Sequence, residues 1–226
     1  MQETISSQPV RGQIQYKSME KADQAQVIPI VAGTFIKHEP VSQALGLQQS
    51  DMEALVKEIL RHPGVARLST VAYHEPTGVV VGAFLAEDFA DPSPIPQGCK
   101  ALAPVLALLD LLEKHYPASH PLPQNRHLHL YMLGVDEAFM LQGVAGLLTD
   151  FCLYHAAKFG FTHAFAEATA PGSQHLLNKR GFETLFEIPY ADFEFTGRKV
   201  FSQIQQPPSV KLMARDIPPR PDAFPS

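Results

Sequence analysis

One stretch of the chain combines residue types that suit the binding of a phosphate group. Residues 133–148 read LGVDEAFMLQGVAGLL, in which an apolar strand-like end and an acidic turn precede a helix that starts with glycine and alanine. A helix N-terminus presents unpaired amide donors and partial positive charge, and small side chains allow a phosphate to approach that backbone. The candidate pyrophosphate cradle consists of Leu141, Gln142, Gly143, Val144 and Ala145.

The small residues of this segment also have a purely structural interpretation. Gly143, Ala145 and Gly146 would let the helix pack closely against a sheet without binding any ligand. The segment alone does not decide between the two interpretations.

The histidines make a weaker case for chemistry. His127 and His129 share one face of a predicted strand, but two imidazoles without a third ligand are a poor zinc site, so no metal is expected. The remaining candidates are interpreted as surface or core polar groups: His155, His163 and His175.

Hydrophobic periodicity predicts the elements that position these residues. Alternation with period two indicates strands at 14–18, in a hairpin at 67–89, and at 127–135, 162–169, 183–195 and 209–217. Apolar residues at helical spacing indicate helices at 22–35, 50–62, 101–115, 143–159 and 173–182. Ser50 and Glu53 are expected to cap the second of these helices.

The order of these elements defines the fold class. Strands and helices alternate around a central βαβ unit, which predicts an α/β or α+β sheet protein. Because such a unit crosses over with a right hand, the start of the helix that follows residue 143 lies at the carboxyl end of the preceding strand. Anions commonly bind at that position.

Composition restricts the class of protein further. The 226 residues are 45% hydrophobic, enough for one domain at 13–217, with flexible segments at 1–12 and 218–226 and a Pro-rich helical insertion at 91–126. A net charge of −5 argues against nucleic acid as a partner. Cys99 and Cys152 lack CxxC spacing, so we expect no disulfide, and no apolar run reaches the ~20 residues of a membrane span. A soluble, cytoplasmic protein is predicted.

Several motifs resemble one known superfamily. The run VDEAFMLQGVAGLL resembles the acetyl-CoA motif of the GCN5-related N-acetyltransferase (GNAT) superfamily, written Q/R-x-x-G-x-G/A: Gly143 and Ala145 match its last positions, and Met140 stands where Arg or Gln is usual. The segments KRGFE, IPYADFEFTGRKVF, VKLMARDI and TFIKHEPVSQALGL are similar to parts of arylalkylamine N-acetyltransferase-like proteins, in the same order.

The resemblance implies a fold and a co-substrate. The GNAT fold is a mixed, mostly antiparallel sheet of about seven strands flanked by helices, with a splayed strand pair that binds acetyl-CoA. Acetyl-CoA would then contact Leu133, Gly134 and Val135 as well as the cradle, and a backbone amide of that strand would stabilise the oxyanion. Gly134 is expected to form the bulge that separates the two strands.

The resemblance also implies catalytic residues. An alkylamine is protonated at neutral pH, so acetyl transfer to it requires a base, and the resemblance assigns that role to Glu39. Thr169 and Ser173 would relay the amine proton and reprotonate the CoA thiolate, whereas Leu177 occupies the position of the superfamily's usual tyrosine acid. Two structural alternatives stay open: Glu39 caps or pairs within a surface loop, and Ser173 is a helix N-cap.

The expected function is transfer of an acetyl group from acetyl-CoA to a small primary amine, such as an arylalkylamine or a polyamine. The alternatives are a non-catalytic acyl-CoA-binding module, which Met140 and the missing tyrosine favour, and a protein or peptide N-acetyltransferase. The expected partners are therefore acetyl-CoA and a small amine, with no nucleic acid and no membrane, in a monomer or homodimer.

Overall fold

The computed structural model describes residues 13–94, 100–118 and 122–219. Nearly all of the two predicted flexible termini, Cys99 and parts of the predicted insertion lie outside the described residues. Seven strands form one sheet in the order β1-β2-β3-β4-β5-β7-β6. They are β1 (Ile14–Ser18), β2 (Thr70–His74), β3 (Val79–Asp88), β4 (His127–Val135), β5 (His163–Ala168), β6 (Glu183–Pro189) and β7 (Ser209–Asp216).

Seven α-helices accompany the sheet in the described part of the chain. They are α1 (Gln24–His38), α2 (Pro40–Ala44), α3 (Gln49–Ile59), α4 (Pro63–Leu68), α5 (Ala103–Glu113), α6 (Val144–Ala157) and α7 (Pro171–Lys179). Among the described helices, none is both long and apolar enough to cross a bilayer.

The two faces of the sheet carry different helices because strand residues alternate between them. On one face, Leu148 and Cys152 of α6 pack against Leu128 and Leu130 of β4. The opposite face carries α1 and α3 beside β3, and farther along it Leu108 and Leu112 of α5 pack in one cluster with Phe165 of β5. The helix of the predicted insertion is therefore part of the core.

The cap predicted for the second helix is wrong. The helix starts at Gln49, one residue before Ser50, and Gln48 occupies the N-cap position. The Gln48 amide donates to the Asp51 carboxylate at 2.9 Å, so Asp51 takes the role expected of Glu53. The sequence offers two overlapping polar pairs at this helix start, and periodicity does not choose between them.

The strands β4 and β5 separate after a short junction. They pair in parallel at only three positions, His127 with His163, Leu128 with Ala164, and His129 with Phe165. Beyond this junction β4 continues along β3, while β5 continues along β7. A V-shaped gap therefore opens between the two strands and widens toward the carboxyl end of β4, where α6 begins.

Candidate active site

The bulge in β4 lies at Tyr131, so its predicted position at Gly134 is wrong. Met132 pairs with Leu85 and Leu130 pairs with Ala86, which leaves Tyr131 as the extra residue. Gly134 instead pairs in regular register with Ala83. A Cβ at Gly134 would lie 2.6 Å from the Val31 Cα, so this glycine allows α1 to approach the sheet.

The hydrogen bonding of β4 decides which of its amides face the gap. Asp136 donates to the Val81 carbonyl of β3 at 2.8 Å, and in an antiparallel ladder alternate residues point to the same side. Gly134 therefore also faces β3, whereas Leu133 and Val135 face the gap. The Val135 amide already donates to the Thr34 hydroxyl at 3.2 Å. Of the three β4 residues predicted to contact acetyl-CoA, Leu133 is therefore the one whose amide points into the gap and has no partner among the described strand pairings.

The start of α6 follows the wide end of the gap. Gly143 is the N-cap, with φ +86°, a left-handed conformation that favours glycine. Val144 and Ala145 are the first helical residues, and their amides belong to the unpaired donors of a helix N-terminus. Leu141 and Gln142 precede the helix, and the Leu141 side chain is fully exposed. The predicted cradle therefore consists of a turn and the first residues of α6.

Gly146 has a structural role within the first turn of α6. A Cβ at this position would collide with the guanidinium of Arg180, which donates to the Gly146 carbonyl at 3.2 Å and pairs with Asp150 at 2.9 Å. The small residue therefore makes room for a cationic side chain beside the helix start. This cation was missed in the sequence, because its partners are set by tertiary structure.

Glu39 lies buried where α1 ends and α2 begins. It is 7% exposed, and its carboxylate accepts from the amides of Val41 at 2.9 Å and Ser42 at 2.6 Å. Glu39 thus acts as the N-cap of α2, as the structural alternative foresaw, although in a buried setting. Each carboxylate oxygen has two lone pairs, so the cap leaves Glu39 able to accept further hydrogen bonds.

Tyr190 lies near both Glu39 and Thr169. Its hydroxyl donates to the Thr169 carbonyl at 2.7 Å, and its side chain is fully buried. Burial, with a smaller contribution from the negative charge of Glu39, raises the pKa of Tyr190 above its usual range. Two predicted catalytic residues, distant in sequence, therefore flank one buried phenol.

Ser173 lies at the third position of α7, so it is not the helix N-cap that the structural alternative named. Ala170 occupies the N-cap, and the Ser173 hydroxyl accepts from the Ala170 amide at 3.2 Å and donates to the Ala170 carbonyl at 2.9 Å. Ser173 still satisfies a terminal amide, but from inside the helix. Leu177, one turn later, is buried in the core, as a residue without a catalytic role would be.

A buried cluster of charged residues, which the sequence analysis did not find, lies at the closed end of the gap. The two ring nitrogens of His129 contact Glu87 at 3.1 Å and Glu167 at 2.8 Å. These two carboxylates, on β3 and β5, raise the pKa of His129 well above its usual value despite the opposing effect of burial. Glu113 of α5 lies beside them. We call Glu87, Glu113, His129 and Glu167 the apex cluster.

The other predicted polar and aromatic residues are mostly structural. His155 is buried and contacts the Arg67 carbonyl at 2.9 Å, while His163 and His175 are exposed. His127 hydrogen-bonds the Tyr116 hydroxyl and does not join His129. These placements agree with the sequence interpretation of surface and core polar groups.

Comparison with known proteins identifies the architecture. No protein-family model matches the sequence. The C-terminal condensation domain of Ebony, solved with β-alanyl-dopamine, superposes with a TM-score of 0.82 at 21% identity, covering 90% of this chain and 99% of that one. Arylalkylamine N-acetyltransferase 2 from Aedes aegypti gives a TM-score of 0.70 at 20% identity, covering 91% and 99%. The Drosophila melanogaster polyamine N-acetyltransferase gives 0.62 at 18% identity, covering 90% and 99%.

These similarities define the class of fold. The mixed, mostly antiparallel seven-stranded sheet with flanking helices and a splayed β4–β5 pair is the GNAT fold. The fold predicted from the sequence motifs is therefore confirmed.

Proposed function

We propose that this chain is an N-acetyltransferase that transfers the acetyl group of acetyl-CoA to a small primary amine, with Glu39 as the general base. The observation that carries the proposal is the buried Glu39 carboxylate, which faces the same phenol, Tyr190, as Thr169 does. Structural neighbours that are arylalkylamine and polyamine N-acetyltransferases support the same activity and suggest these two amine classes as acceptors.

Acetyl transfer needs an unprotonated amine. A primary alkylamine has a pKa near ~10, so it is almost entirely protonated at neutral pH. Glu39 accepts the proton directly or through one water, using lone pairs that the α2 cap leaves free. Thr169 and Ser173 supply hydroxyls for relaying the amine proton and for reprotonating the leaving thiolate. The Leu133 amide, directed into the gap, is the donor for the developing oxyanion.

The residues at the start of α6 fit a diphosphate. The amides of Val144 and Ala145 are terminal donors of a 14-residue helix, the side chain at 145 is small, and Gly143 leaves the approach open. Bound acetyl-CoA supplies the activated thioester. We propose that residues 141–145 hold the diphosphate of acetyl-CoA and that residues 133–135 line its extended pantetheine arm. We also propose that the acetyl-CoA is cytoplasmic.

Turnover of the purified chain tests this proposal. We expect thiol release from acetyl-CoA in the presence of an arylalkylamine such as tyramine or a diamine such as putrescine. Glu39→Gln should lower turnover by about 100-fold or more, most strongly at low pH where the free amine is scarce. Glu75→Gln, a change in an exposed turn, is the matched control. No thiol release above hydrolysis with any amine, or full activity of Glu39→Gln, would refute the proposal.

One comparison favours a second candidate function, which is transfer of an aminoacyl group. The Ebony domain was solved with β-alanyl-dopamine, an amide between a β-alanyl group and an amine, and it superposes with a TM-score of 0.82. A donor of that kind differs from acetyl-CoA by a positive charge at the end of its acyl group. β-Alanyl-CoA tested beside acetyl-CoA separates the two candidates.

A further inference from the structure

Three of the four charged side chains of the apex cluster are almost completely buried. The side chains of Glu87, His129 and Glu167 are each only 4% to 5% exposed. Their position follows from the sheet: Glu87 pairs across β3 and β4 with His129, and Glu167 follows Phe165, the last β5 residue of the parallel junction. Thr169 is two residues beyond Glu167, just past the end of β5, and an extended backbone covers roughly 7 Å over that distance. Glu167 therefore lies close to Thr169, one of the proposed catalytic residues.

The charges within the cluster do not balance. His129 donates from one ring nitrogen to Glu87 and from the other to Glu167, which makes it an imidazolium with one positive charge. Two carboxylates surround it, and ligand atoms of Glu113, His129 and Glu167 lie within 4.8 Å of one another. Burial raises the pKa of Glu113 to about 7, with further contributions from the charges of Glu167 and Glu87. The cluster is thus short of at least one positive charge.

One buried acceptor in the cluster lacks a partner in the described part of the chain. The Oε1 atom of Glu167 is buried and accepts no hydrogen bond, although 96% of that side chain is removed from solvent. The Glu113 carboxyl group is half-buried and has no side-chain hydrogen bond to the described residues, whereas the Glu113 backbone carbonyl accepts from the Tyr116 amide at 2.9 Å. Buried acceptors are almost always satisfied, so Glu167 Oε1, with the Glu113 carboxyl group nearby, points to a donor supplied by a ligand.

A path to the cluster exists from the surface. A cavity of about 200 Å³ is lined by Phe89, Asp110, Glu113, Lys114 and Tyr116. Its wall includes Glu113 and the ion pair between Asp110 and Lys114, whose atoms are 2.6 Å apart. The ring of Tyr131, whose pKa is raised by burial and by the charges of Glu87 and Glu167, lies 5.1 Å from the ring of His129. A small cation can therefore reach Glu113 without unfolding of the sheet.

The chemistry of the acceptors favours an ammonium group over a metal ion. Both nitrogens of His129 carry protons, so neither offers a lone pair to a metal while the two ion pairs persist. Glu167 and Glu113 still offer lone pairs, which an ammonium uses by donating N–H bonds. The rings of Phe89 and Tyr131 provide the apolar and π surroundings that suit such a cation.

We propose that Glu113 and Glu167 bind the ammonium group of a substrate at the closed end of the β4–β5 gap. The inference rests on the proposed acyl transfer and names its substrate class. Two sources share this chemistry: the amino group of an aminoacyl thioester and the second amino group of a diamine acceptor. A thioester arm that enters at α6 and follows the narrowing gap directs its acyl end toward the His129–Phe165 pair.

Matched pairs of substrates test the inference and distinguish the two sources. β-Alanyl-CoA and butyryl-CoA differ by an ammonium in place of a methyl group, and so do putrescine and pentylamine. We expect the charged member of one pair to be preferred by at least about tenfold in kcat/KM. A preference within the two thioesters identifies an aminoacyl thioester as the substrate. A preference within the two amines identifies a diamine.

Variants of the apex cluster provide a second test of the inference. Glu113→Gln removes a charge without breaking an ion pair of His129, and we expect it to reduce the preference for the charged substrate toward unity. Glu167→Gln should do the same, while Glu75→Gln, in an exposed turn, should keep the full preference. The ratio between matched substrates separates lost recognition from lost folding, because misfolded protein lowers both rates equally.

The outcomes separate failure of the inference from failure of the proposed function. Turnover of butyryl-CoA with pentylamine that equals or exceeds that of the charged members overturns the inference and leaves acyl transfer intact. No turnover with any pair overturns acyl transfer; calorimetric binding of each matched pair then decides the inference, and equal affinities overturn it. One tightly held zinc or manganese ion per chain, found by elemental analysis of the purified protein, would also overturn it.

Discussion

Gly134 of β4 and Val31 of α1 are in such close contact that a Cβ at Gly134 would lie 2.6 Å from the Val31 Cα. The contact is reinforced by Thr34, whose hydroxyl accepts from the Val135 amide at 3.2 Å. Helix α1 ends at His38, immediately before Glu39. The closeness of Gly134 to Val31 therefore fixes the helix that leads into Glu39, the proposed base, against the strand whose Leu133 amide faces the gap.

The first prediction concerns this contact. Gly134→Ala should destabilise the protein by about 1–3 kcal/mol, because the added methyl group meets backbone atoms that cannot move aside cheaply. The shift in urea midpoint measures the effect. Gly172→Ala is the matched control: it introduces the same group where nothing lies within 4 Å. Equal stabilities of the two variants would show that α1 is not held in this way.

The second prediction concerns the start of α6. Ala145→Asp places a carboxylate in the first turn, where it should leave stability unchanged or raise it by about 0.3–1 kcal/mol through the helix dipole. The same charge should weaken acetyl-CoA binding by about tenfold or more, since it repels the diphosphate. Calorimetry of the variant beside Ala145→Asn, which has similar bulk and no charge, measures the difference. Unchanged affinity in the aspartate variant would place the diphosphate elsewhere.

The third prediction concerns the centre of the apex cluster. His129→Gln removes the imidazolium that lies between Glu87 and Glu167 and leaves two buried carboxylates without their counter-charge. The loss should be roughly 3 kcal/mol or more in the free energy of unfolding. His175→Gln, at an exposed position of α7, should change stability by less than about 0.5 kcal/mol. Chemical denaturation at neutral pH compares the two variants. A small loss of stability for His129→Gln would show that the ion pairs of His129 with Glu87 and Glu167 do not stabilise the fold.

The fourth prediction concerns pH. The pKa of Glu113 rises from 4.5 to about 7 on folding, so between these values the folded chain holds a proton that the unfolded chain has released. The contribution of this group to stability is therefore present at low pH and lost as pH rises through the window from 4.5 to about 7. After discounting for partial exposure, the loss should be about 1–2 kcal/mol.

Comparison with Glu113→Gln isolates this contribution from those of its neighbours. The pKa of His129 is raised and that of Glu87 is lowered, so both add pH dependence of their own. Between about pH 5 and about pH 8, the free energy of unfolding should decrease less for the glutamine variant than for the original chain. Parallel declines in the two proteins would mean that Glu113 titrates normally.

Local patterns predicted most of the elements and some of their limits. The alternating run of β4 gave its bounds at His127 and Val135, and α6 starts within one residue of its predicted first position. Errors occurred where local signals overlap. The hairpin predicted from residue 67 includes the end of α4, which Pro63 starts, and the strand predicted over 183–195 ends at Pro189.

The candidate site was predicted only in part. The motif resemblance pointed to Glu39, Thr169, Ser173 and the α6 start, and in the structure Tyr190 lies near Glu39 and donates to the Thr169 carbonyl. Which β4 amide faces the gap depends on ladder register, which a single sequence does not specify.

The apex cluster was missed for a related reason. Glu87 and Glu167 are acidic residues inside the largely apolar strand segments AFLAEDF and AFAEA, and a charge in a buried strand needs a partner. That signal was present in the sequence. Its partner, however, depends on β4 lying between β3 and β5 and on α5 packing above them, which are properties of the whole topology.

The junction of β4 and β5, with three paired positions, is shorter than every other strand pairing described in the sheet. The β5-β7-β6 leaf is therefore the part of the sheet best able to swing relative to its neighbours. An extended thioester arm lying along Leu133 would act as a temporary strand that bridges the two leaves. Substrate binding would then stiffen the molecule, and deuterium uptake at the Leu133 amide should slow when acetyl-CoA is added.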